Sequence, residues 1–352
     1  MKRTLLILAS VCLGGCALQA PVTIDRDGLA RFEPPPGKVL IFVGQDNQSV
    51  GGNASYRDGY IEHVGVPAGI THYVGMGADH GNRFKAVFDD TRVDGLNSES
   101  YWGAGPMCMK YYVDSPILSN CVMHLSIAMT GNNEDKVADG THDRLIDELI
   151  AFLREYDHLP FLIRIGYEFE GEWNGYDPEN YKAAFRRIVD RLRKAKVKNF
   201  ASVMASVSFA TPYATWEAYY PGDEYVDWLG YSYWEGGPAD GDSLQFARNK
   251  GKPVFIAESA PRGYFLTHDE GSQVWKDWYE PYFAHIEKHL DVIRAVSYIN
   301  CNWDVQPMWK GQNWGDTRLQ GSGYLREKWL EKLAEPAYLS VEDQPFRWIG
   351  FE

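Results

Sequence analysis

Eight short apolar runs recur between residues 39 and 303, and polar or amphipathic segments separate them. They are nearly continuous in hydrophobic residues, which is typical of parallel strands buried on both faces. The runs are Val39–Gln45, Gly69–Gly75, Cys121–Met129, Pro160–Glu168, Phe200–Val207, Val226–Trp234, Pro253–Glu258 and Ala295–Trp303.

Helical patterns lie between several of these runs. Residues 142–156 and 271–290 carry apolar stripes at helical spacing, and Asp177-Pro178 gives a third helix an N-cap and a first-turn proline. Eight buried strands with interleaved helices indicate an α/β fold, a single (β/α)₈ TIM barrel over residues 38–352. Helix signal is poor between residues 46 and 120, so we expect long loops at the C-terminal face of the strands.

Two of the predicted strands end in a glutamate, Glu168 on the fourth and Glu258 on the seventh. Active residues of such barrels sit at the carboxyl ends of the strands. Cleavage of a glycosidic bond with retention needs two carboxyl groups about 5–5.5 Å apart. We predict Glu168 as general acid/base and Glu258 as nucleophile, with Glu170 as the alternative acid because its strand parity matches that of Glu168.

Further side chains are predicted to face the same mouth. Arg164 shares the strand face of Glu168 and could pair with a carboxylate in the site or form a purely structural ion pair. Tyr231 and Tyr233 share a face on the neighbouring strand. We expect Tyr233 to hydrogen-bond the nucleophile and hold it ionised, with core packing as the rival interpretation.

Three tryptophans are predicted sugar-stacking platforms: Trp173, Trp234 and Trp303. Alternation along the eighth strand directs Trp303 into the mouth of the barrel. Tyr167, immediately before Glu168, is the remaining predicted substrate contact.

The formal charge of −13 argues against a nucleic-acid partner, because phosphate binding requires basic patches. No HExxH motif or zinc-ligand spacing is present, and the nine histidines are scattered. A metal-dependent hydrolase therefore has no support, and we expect neither a metal nor another cofactor.

Residues 1–15 have the pattern of an export signal, with two basic residues before an apolar stretch too short to span a bilayer. The stretch closes on Leu-Gly-Gly-Cys16, which resembles the lipobox of bacterial lipoproteins. The resemblance implies cleavage before Cys16 and lipid attachment to its thiol, with ordinary secretion as the alternative. Ala17 is not an inner-membrane retention aspartate, which favours the outer membrane. Residues 16–37 are polar and Pro-rich, which predicts a tether.

Three cysteines remain in the predicted catalytic domain. Cys108 and Cys121 could close a short disulfide loop in an oxidising compartment, which would leave Cys301 unpaired and buried.

The order and spacing of these motifs resemble those of glycoside hydrolase family 26, within the clan-A retaining hydrolases. The resemblance covers most of residues 38–335. It is carried by Val39-Leu-Ile-Phe-Val-Gly-Gln45, Arg164-Ile-Gly-Tyr-Glu168, Val226-Asp-Trp-Leu-Gly-Tyr-Ser-Tyr233, Lys252-Pro-Val-Phe-Ile-Ala-Glu258 and Trp303.

The resemblance implies a retaining endo-β-glycoside hydrolase acting on a polysaccharide. Mannanases of the family carry histidine before the acid/base glutamate, where this chain has Tyr167. We therefore expect β-1,3-xylan or a related wall glycan as substrate, with β-mannan and mixed-linkage β-glucan as alternatives. A catalytically silent glycan-binding lipoprotein is the alternative from another class. We expect a monomer whose only contact with a membrane is its lipid.

Overall fold

The computed structural model describes residues 24–77, 90–235 and 241–351. The predicted signal segment and Cys16 lie outside these ranges. Within them, the strands are β1 Val39–Gly44, β2 Gly69–Met76, β3 Val93–Asp94, β4 Val122–Ala128, β5 Phe161–Ile165, β6 Phe200–Ser206, β7 Trp228–Tyr233, β8 Val254–Ser259, β9 Ile293–Ile299 and β10 Tyr338–Leu339.

Eight of these strands form a closed parallel barrel in the order β1-β9-β8-β7-β6-β5-β4-β2, and β2 pairs back onto β1. They are the eight predicted strands, so the predicted barrel is confirmed. The two-residue strands β10 and β3 extend the sheet beside β1 and β2. All residues of the eight barrel strands are buried, because side chains cover both faces of the sheet.

Helices surround the barrel and supply its outer layer. In the described residues they are α1 Asn47–Val50, α2 Tyr60–His63, α3 Met109–Val113, α4 Asn133–Asp139, α5 Asp143–Glu155, α6 Pro178–Lys194, α7 Tyr213–Tyr219, α8 Asp242–Lys250, α9 Gly271–Val274, α10 Glu280–Lys288, α11 Gly323–Leu333 and α12 Pro345–Ile349. A π-helical turn, Trp275–Tyr279, joins α9 to α10. None of the helices that the structure describes is long and apolar enough to cross a membrane.

The three predicted helices are present. Asp177 caps α6 by accepting hydrogen bonds from the backbone N–H groups of Glu179 and Asn180. Between β1 and β4 the described helices are only four or five residues long. Described residues of the loops that we expected there, Trp102, Ala104 and Met107, lie at the carboxyl ends of the strands.

Part of the predicted tether is packed against the barrel instead of extending away from it. Phe32 is buried among residues from the amino ends of the strands, and the Trp228 indole donates to the Arg31 carbonyl at 2.7 Å. Glu33 forms a buried ion pair with Arg294, 3.0 Å apart. The domain boundary predicted at residue 38 is therefore too late, because this segment closes the amino-terminal end of the barrel.

The three cysteines of the domain, Cys108, Cys121 and Cys301, are all free and buried. The suggested Cys108–Cys121 disulfide is wrong. Cys108 immediately precedes α3. Cys121 immediately precedes β4, and its thiol donates to the Pro67 carbonyl 3.4 Å away.

Candidate active site

A cavity of about 900 Å³ opens at the carboxyl ends of the barrel strands. Both predicted catalytic glutamates line it, together with four of the predicted substrate contacts. Those four are Tyr167, Trp173, Trp234 and Trp303.

Glu168 reaches the cavity from a turn and not from a strand. Strand β5 ends at Ile165, and both Gly166 and Glu168 have positive φ, +57° and +51°. Asn174 closes this turn by donating to the carbonyls of Tyr167 and Glu168 at 2.8 and 2.9 Å. A left-handed conformation in a non-glycine residue costs about 1–3 kcal/mol and occurs preferentially at functional sites. The predicted strand was three residues too long, although its last residue still faces the mouth.

Each oxygen of the Glu168 carboxyl accepts one hydrogen bond. Ser232 donates to Oε1 at 2.9 Å and the Trp173 indole donates to Oε2 at 3.0 Å. Burial, and after it the charge of Glu258, nevertheless raises the pKa of Glu168 to about 8. The group is therefore mainly protonated at neutral pH, as a general acid must be.

Glu258 lies near the end of β8 and is 7% exposed. The buried guanidinium of Arg164 donates to its Oε1 through Nη2. Ser232, which contacts Glu168, is also the residue that pairs with Glu258 in the ladder between β7 and β8. The two carboxyl groups therefore line the same cavity, close enough for the charge of Glu258 to act on Glu168.

Arg164 forms the floor beneath this pair. It is fully buried, and its guanidinium carbon lies 4.8 Å from the centre of the Tyr167 ring and 5.6 Å from that of Tyr73. These two rings meet edge to face at 84°. Arg164 thus pairs with a carboxylate inside the site, which decides between the two alternatives for this residue.

The predicted roles of Tyr231 and Tyr233 are wrong, because both side chains point out of the barrel. The Tyr231 hydroxyl shares a 2.7 Å hydrogen bond with His285 of α10. Tyr233 packs between Phe209 and residues of the α9–α10 segment. Alternation along β7 places Ser232 inward, so the rival core-packing interpretation holds for both tyrosines.

Trp303 lines the cavity but lies in a 3₁₀ turn, four residues beyond the end of β9. Its indole donates to Thr317 at 2.9 Å, and it packs against Trp309 and Trp314 with ring centroids 4.7 and 4.9 Å away. Trp234 contacts the same cluster edge to face. Trp303 is only 1% exposed, so it contributes a small part of its surface to the cavity.

Trp173 has the opposite character, since it is 64% exposed. It follows β5, whereas Trp303 follows β9, and these strands lie four positions apart in the eight-stranded ring. The cavity is therefore flanked by tryptophan on opposite sides of the barrel mouth.

Glu170, the alternative acid, does not line the cavity. Its carboxylate accepts hydrogen bonds from the Val207 backbone N–H and the Thr211 hydroxyl, and burial raises its pKa. It fixes the loop after β6, which is a structural role.

Sequence reasoning missed Tyr73, Ser232, Trp309 and Trp314. Alternation could have identified Ser232 if the inward parity of β7 had been known. Trp309 and Trp314 lie on an irregular loop after β9, where side chains follow no helical or strand periodicity that could predict which way they face.

Among the described residues, no group of three or more histidine, cysteine, aspartate or glutamate side chains could hold a metal ion.

Comparison with known proteins points in the same direction as this geometry. The model of glycosyl hydrolase family 26 matches residues 92–289. A β-1,3-xylanase from a Vibrio species is 31% identical, over 100% of this chain and 75% of its own length. A β-1,3-xylanase from an Alcaligenes species is 30% identical, over 100% of this chain and 74% of its own.

Among solved structures, the catalytic domain of an endo-β-1,4-mannanase from a Bacillus species matches with a TM-score of 0.61. The match covers 93% of this chain and 98% of the mannanase domain at 16% identity. At that identity the likeness concerns the fold.

Proposed function

Because this chain belongs to glycosyl hydrolase family 26 and is therefore a retaining glycoside hydrolase, we propose that it cleaves β-1,3-xylan at internal bonds. We propose Glu168 as its general acid/base and Glu258 as its nucleophile. The single observation that carries these roles is the convergence of an acid with a raised pKa and an arginine-paired carboxylate in one cavity.

In the first step, a Glu258 oxygen attacks the anomeric carbon and the bond to the leaving sugar breaks. Glu168 gives its proton to the departing glycosidic oxygen. The Arg164 guanidinium donates a charge-assisted hydrogen bond to Glu258 and orients its carboxylate. The product is a glycosyl ester on Glu258 and a shortened chain with a new hydroxyl group.

In the second step, Glu168 acts as a base and water attacks the ester. Formation of the ester removes the negative charge of Glu258, which is one of the causes that raise the pKa of Glu168. That pKa therefore falls when a base is needed. Glu168 accepts a proton from the water, and the sugar leaves with its original β configuration.

The choice of xylan over mannan has support from sequence. The two relatives that match over the whole chain are β-1,3-xylanases, whereas the mannanase likeness lies at 16% identity. Tyr167 occupies the position before the acid, fills part of the cavity wall and stacks on Arg164. A bulky phenol here restricts the space next to the reacting sugar.

Internal cleavage has support from the shape of the site. Trp173 lies on one side of the mouth, and Trp303 with its neighbours Trp234, Trp309 and Trp314 lies on the other. Aromatic side chains are therefore available for sugars before and after the cleaved bond. Such a site fits the middle of a polymer chain.

Product analysis on defined glycans tests this function. Purified enzyme should release xylo-oligosaccharides of several lengths from β-1,3-xylan, and proton NMR should show the β anomer first. Glu258→Gln is the matched control and should give no products. Faster turnover of β-1,4-mannan or mixed-linkage β-glucan would overturn the substrate, the α anomer first would overturn the mechanism, and binding without products would indicate a silent glycan-binding protein.

We further propose that the mature chain is a monomeric lipoprotein carried on the outer membrane by a lipid on Cys16. The sequence Leu13-Gly14-Gly15-Cys16 supports this proposal. The packed segment Arg31–Glu33 lies at the amino-terminal end of the barrel, opposite the cavity. A lipid attached upstream would leave the cavity facing away from the membrane and toward arriving polymer.

A further inference from the structure

Tyr73 carries a buried hydroxyl beside the proposed nucleophile. It lies on β2, is 6% exposed and lines the cavity. In the barrel ladders Tyr73 pairs with Ser126 of β4, and Ser126 pairs with Arg164 of β5. The three side chains therefore lie at one level inside the barrel, around the arginine that contacts Glu258.

The hydroxyl is close enough to Glu258 for the carboxylate to affect its ionisation. Burial, followed by the charge of Glu258, raises the pKa of Tyr73 well above its usual range. The phenol therefore keeps its proton at every pH at which such an enzyme works. It can act as a hydrogen-bond donor but not as a base.

The Glu258 carboxylate lies within hydrogen-bonding range of this donor, but the two groups are poorly aligned. Among the described residues, Nε and Nη1 of Arg164 and the Ser126 hydroxyl have no partner of good geometry. Burying a polar atom without a partner destabilises a fold. Hydrogen bonds in active sites are often poorly aligned until substrate binds.

We propose that Tyr73 is a positioning residue for Glu258, and that its hydroxyl donates to the Glu258 carboxylate when a sugar occupies the cavity. The proposal rests on the function proposed above, in which Glu258 is the nucleophile. Tyr73 takes the role that the sequence suggested for Tyr233, from the opposite side of the barrel mouth. Together with Arg164 it aims one carboxylate oxygen at the anomeric carbon.

No proton moves in this role. Glu258 forms its bond to the anomeric carbon, the bond to the leaving oxygen breaks, and Glu168 supplies the proton. The Tyr73 hydrogen bond weakens as the carboxylate loses its charge and is restored when water cleaves the ester. Its contribution is orientation, because it holds one Glu258 oxygen toward the anomeric carbon, and its loss should therefore lower kcat more than it raises KM.

Tyr73→Phe is the direct test, because it removes the hydroxyl and keeps the ring that packs on Trp102 and Met107. With an aryl β-xylobioside we expect kcat to fall by about 10- to 100-fold, the range for a hydrogen bond to a charged group. KM should change by less than about threefold, because the lost hydrogen bond joins Tyr73 to Glu258 and not to the substrate. The melting temperature should change little, because the deleted hydroxyl has only a poorly aligned hydrogen bond to lose.

A pH profile separates this role from packing. The titratable and charged groups that face Glu258 are Arg164, Glu168, Tyr73 and Tyr167. Because Tyr73 acts on Glu258 and not on the acid, the alkaline limb of kcat/KM, which reflects the raised pKa of Glu168, should keep its position in Tyr73→Phe while kcat falls. Tyr233→Phe is the matched control and should leave kcat and the profile unchanged, because that ring packs outside the barrel.

Wild-type kcat or a shifted alkaline limb in Tyr73→Phe would overturn the proposal, as would an equal loss of kcat in Tyr233→Phe. Glu258→Gln separates the role of Tyr73 from that of the nucleophile. If it is inactive while Tyr73→Phe behaves as wild type, only the role of Tyr73 fails. If Glu258→Gln keeps full activity, the proposed function fails first.

Discussion

The surroundings of Glu168 act on its pKa in opposite directions. Burial and the charge of Glu258 favour the neutral acid, whereas Arg164, Ser232 and Trp173 favour the carboxylate. The balance leaves the pKa raised, and an acid catalyst works best with a pKa near the working pH. The donors around Glu168 thus adjust the pH range of catalysis as well as holding the side chain in place.

The alkaline limb of the pH profile should reflect this balance. We expect kcat/KM to fall as pH rises through the raised pKa of Glu168, because the ionised carboxylate cannot donate a proton. Ser232→Ala removes a donor to that carboxylate, so the limb should move to higher pH by about 0.5–1 pH unit for a bond of about 1 kcal/mol. Ser206→Ala is the control, because that hydroxyl donates to the Ser208 carbonyl. A limb that stays in place or moves to lower pH contradicts this role of Ser232.

Glu168→Ala should reveal the acid by its dependence on the leaving group. Polymer hydrolysis should slow by about 10²- to 10⁴-fold, whereas aryl glycosides with good leaving groups need little protonation and should lose much less. Added azide should yield the β-glycosyl azide, since the small anion can attack the ester where the base is missing. Glu170→Ala should keep the wild-type ratio of aryl to polymer rates. The reverse pattern would assign the acid to Glu170.

The sequence was sufficient to place Glu168 and Glu258, because a glutamate after a long apolar run marks the mouth of such a barrel. It was insufficient for Tyr231 and Tyr233. Alternation states which residues share a face but does not state which face is inside. The contribution of Tyr73 depends on residues of β2, β5 and β8 meeting in three dimensions, which no local pattern records.

At the level of elements, strand existence was predictable and strand ends were not. The apolar run of β5 continues in sequence to Glu168, but the backbone turns at Gly166. Likewise, the apolar run that contains β9 continues in sequence to Trp303, but the strand ends at Ile299. Strand ends depend on turns that side chains such as Asn174 close, and those contacts are not visible in hydrophobicity.

The segment around Phe32 is an element that the sequence concealed, because its prolines are typical of a tether. Glu33→Ala should destabilise the protein by about 3–5 kcal/mol, since it leaves the buried Arg294 without its ionic partner. Urea unfolding measures the loss. Glu331→Ala, which breaks the exposed pair with Lys328, should cost at most about 1 kcal/mol. Equal effects of the two changes would show that the segment does not stabilise the barrel.

At the scale of the whole protein, the amino-terminal and carboxyl-terminal ends of the barrel differ in structure. The amino-terminal end is closed by Phe32 and its neighbours, and the carboxyl end carries the cavity. A lipid at Cys16 would therefore hold the enzyme by its closed end.

Cys16→Ser should move the protein from the membrane fraction to the soluble fraction and abolish incorporation of labelled palmitate. Cys12→Ser, four residues upstream within the predicted signal, should change neither. Membrane retention of Cys16→Ser, or release by Cys12→Ser, would contradict the lipid anchor.

In the proposed mechanism, Glu258 becomes covalently bonded to the sugar, and Glu168 first donates a proton and then accepts one. A 2-deoxy-2-fluoro β-xylobioside with a good leaving group tests for this bond. Its fluorine slows both formation and hydrolysis of the ester, whereas the good leaving group restores only the rate of formation. The ester on the enzyme should therefore accumulate. Mass spectrometry of the intact protein should show one added glycosyl unit, and peptide mapping should place it on Glu258. Labelling of Glu168 or of another residue, or turnover without any adduct and with inverted product, would rule out Glu258 as the nucleophile.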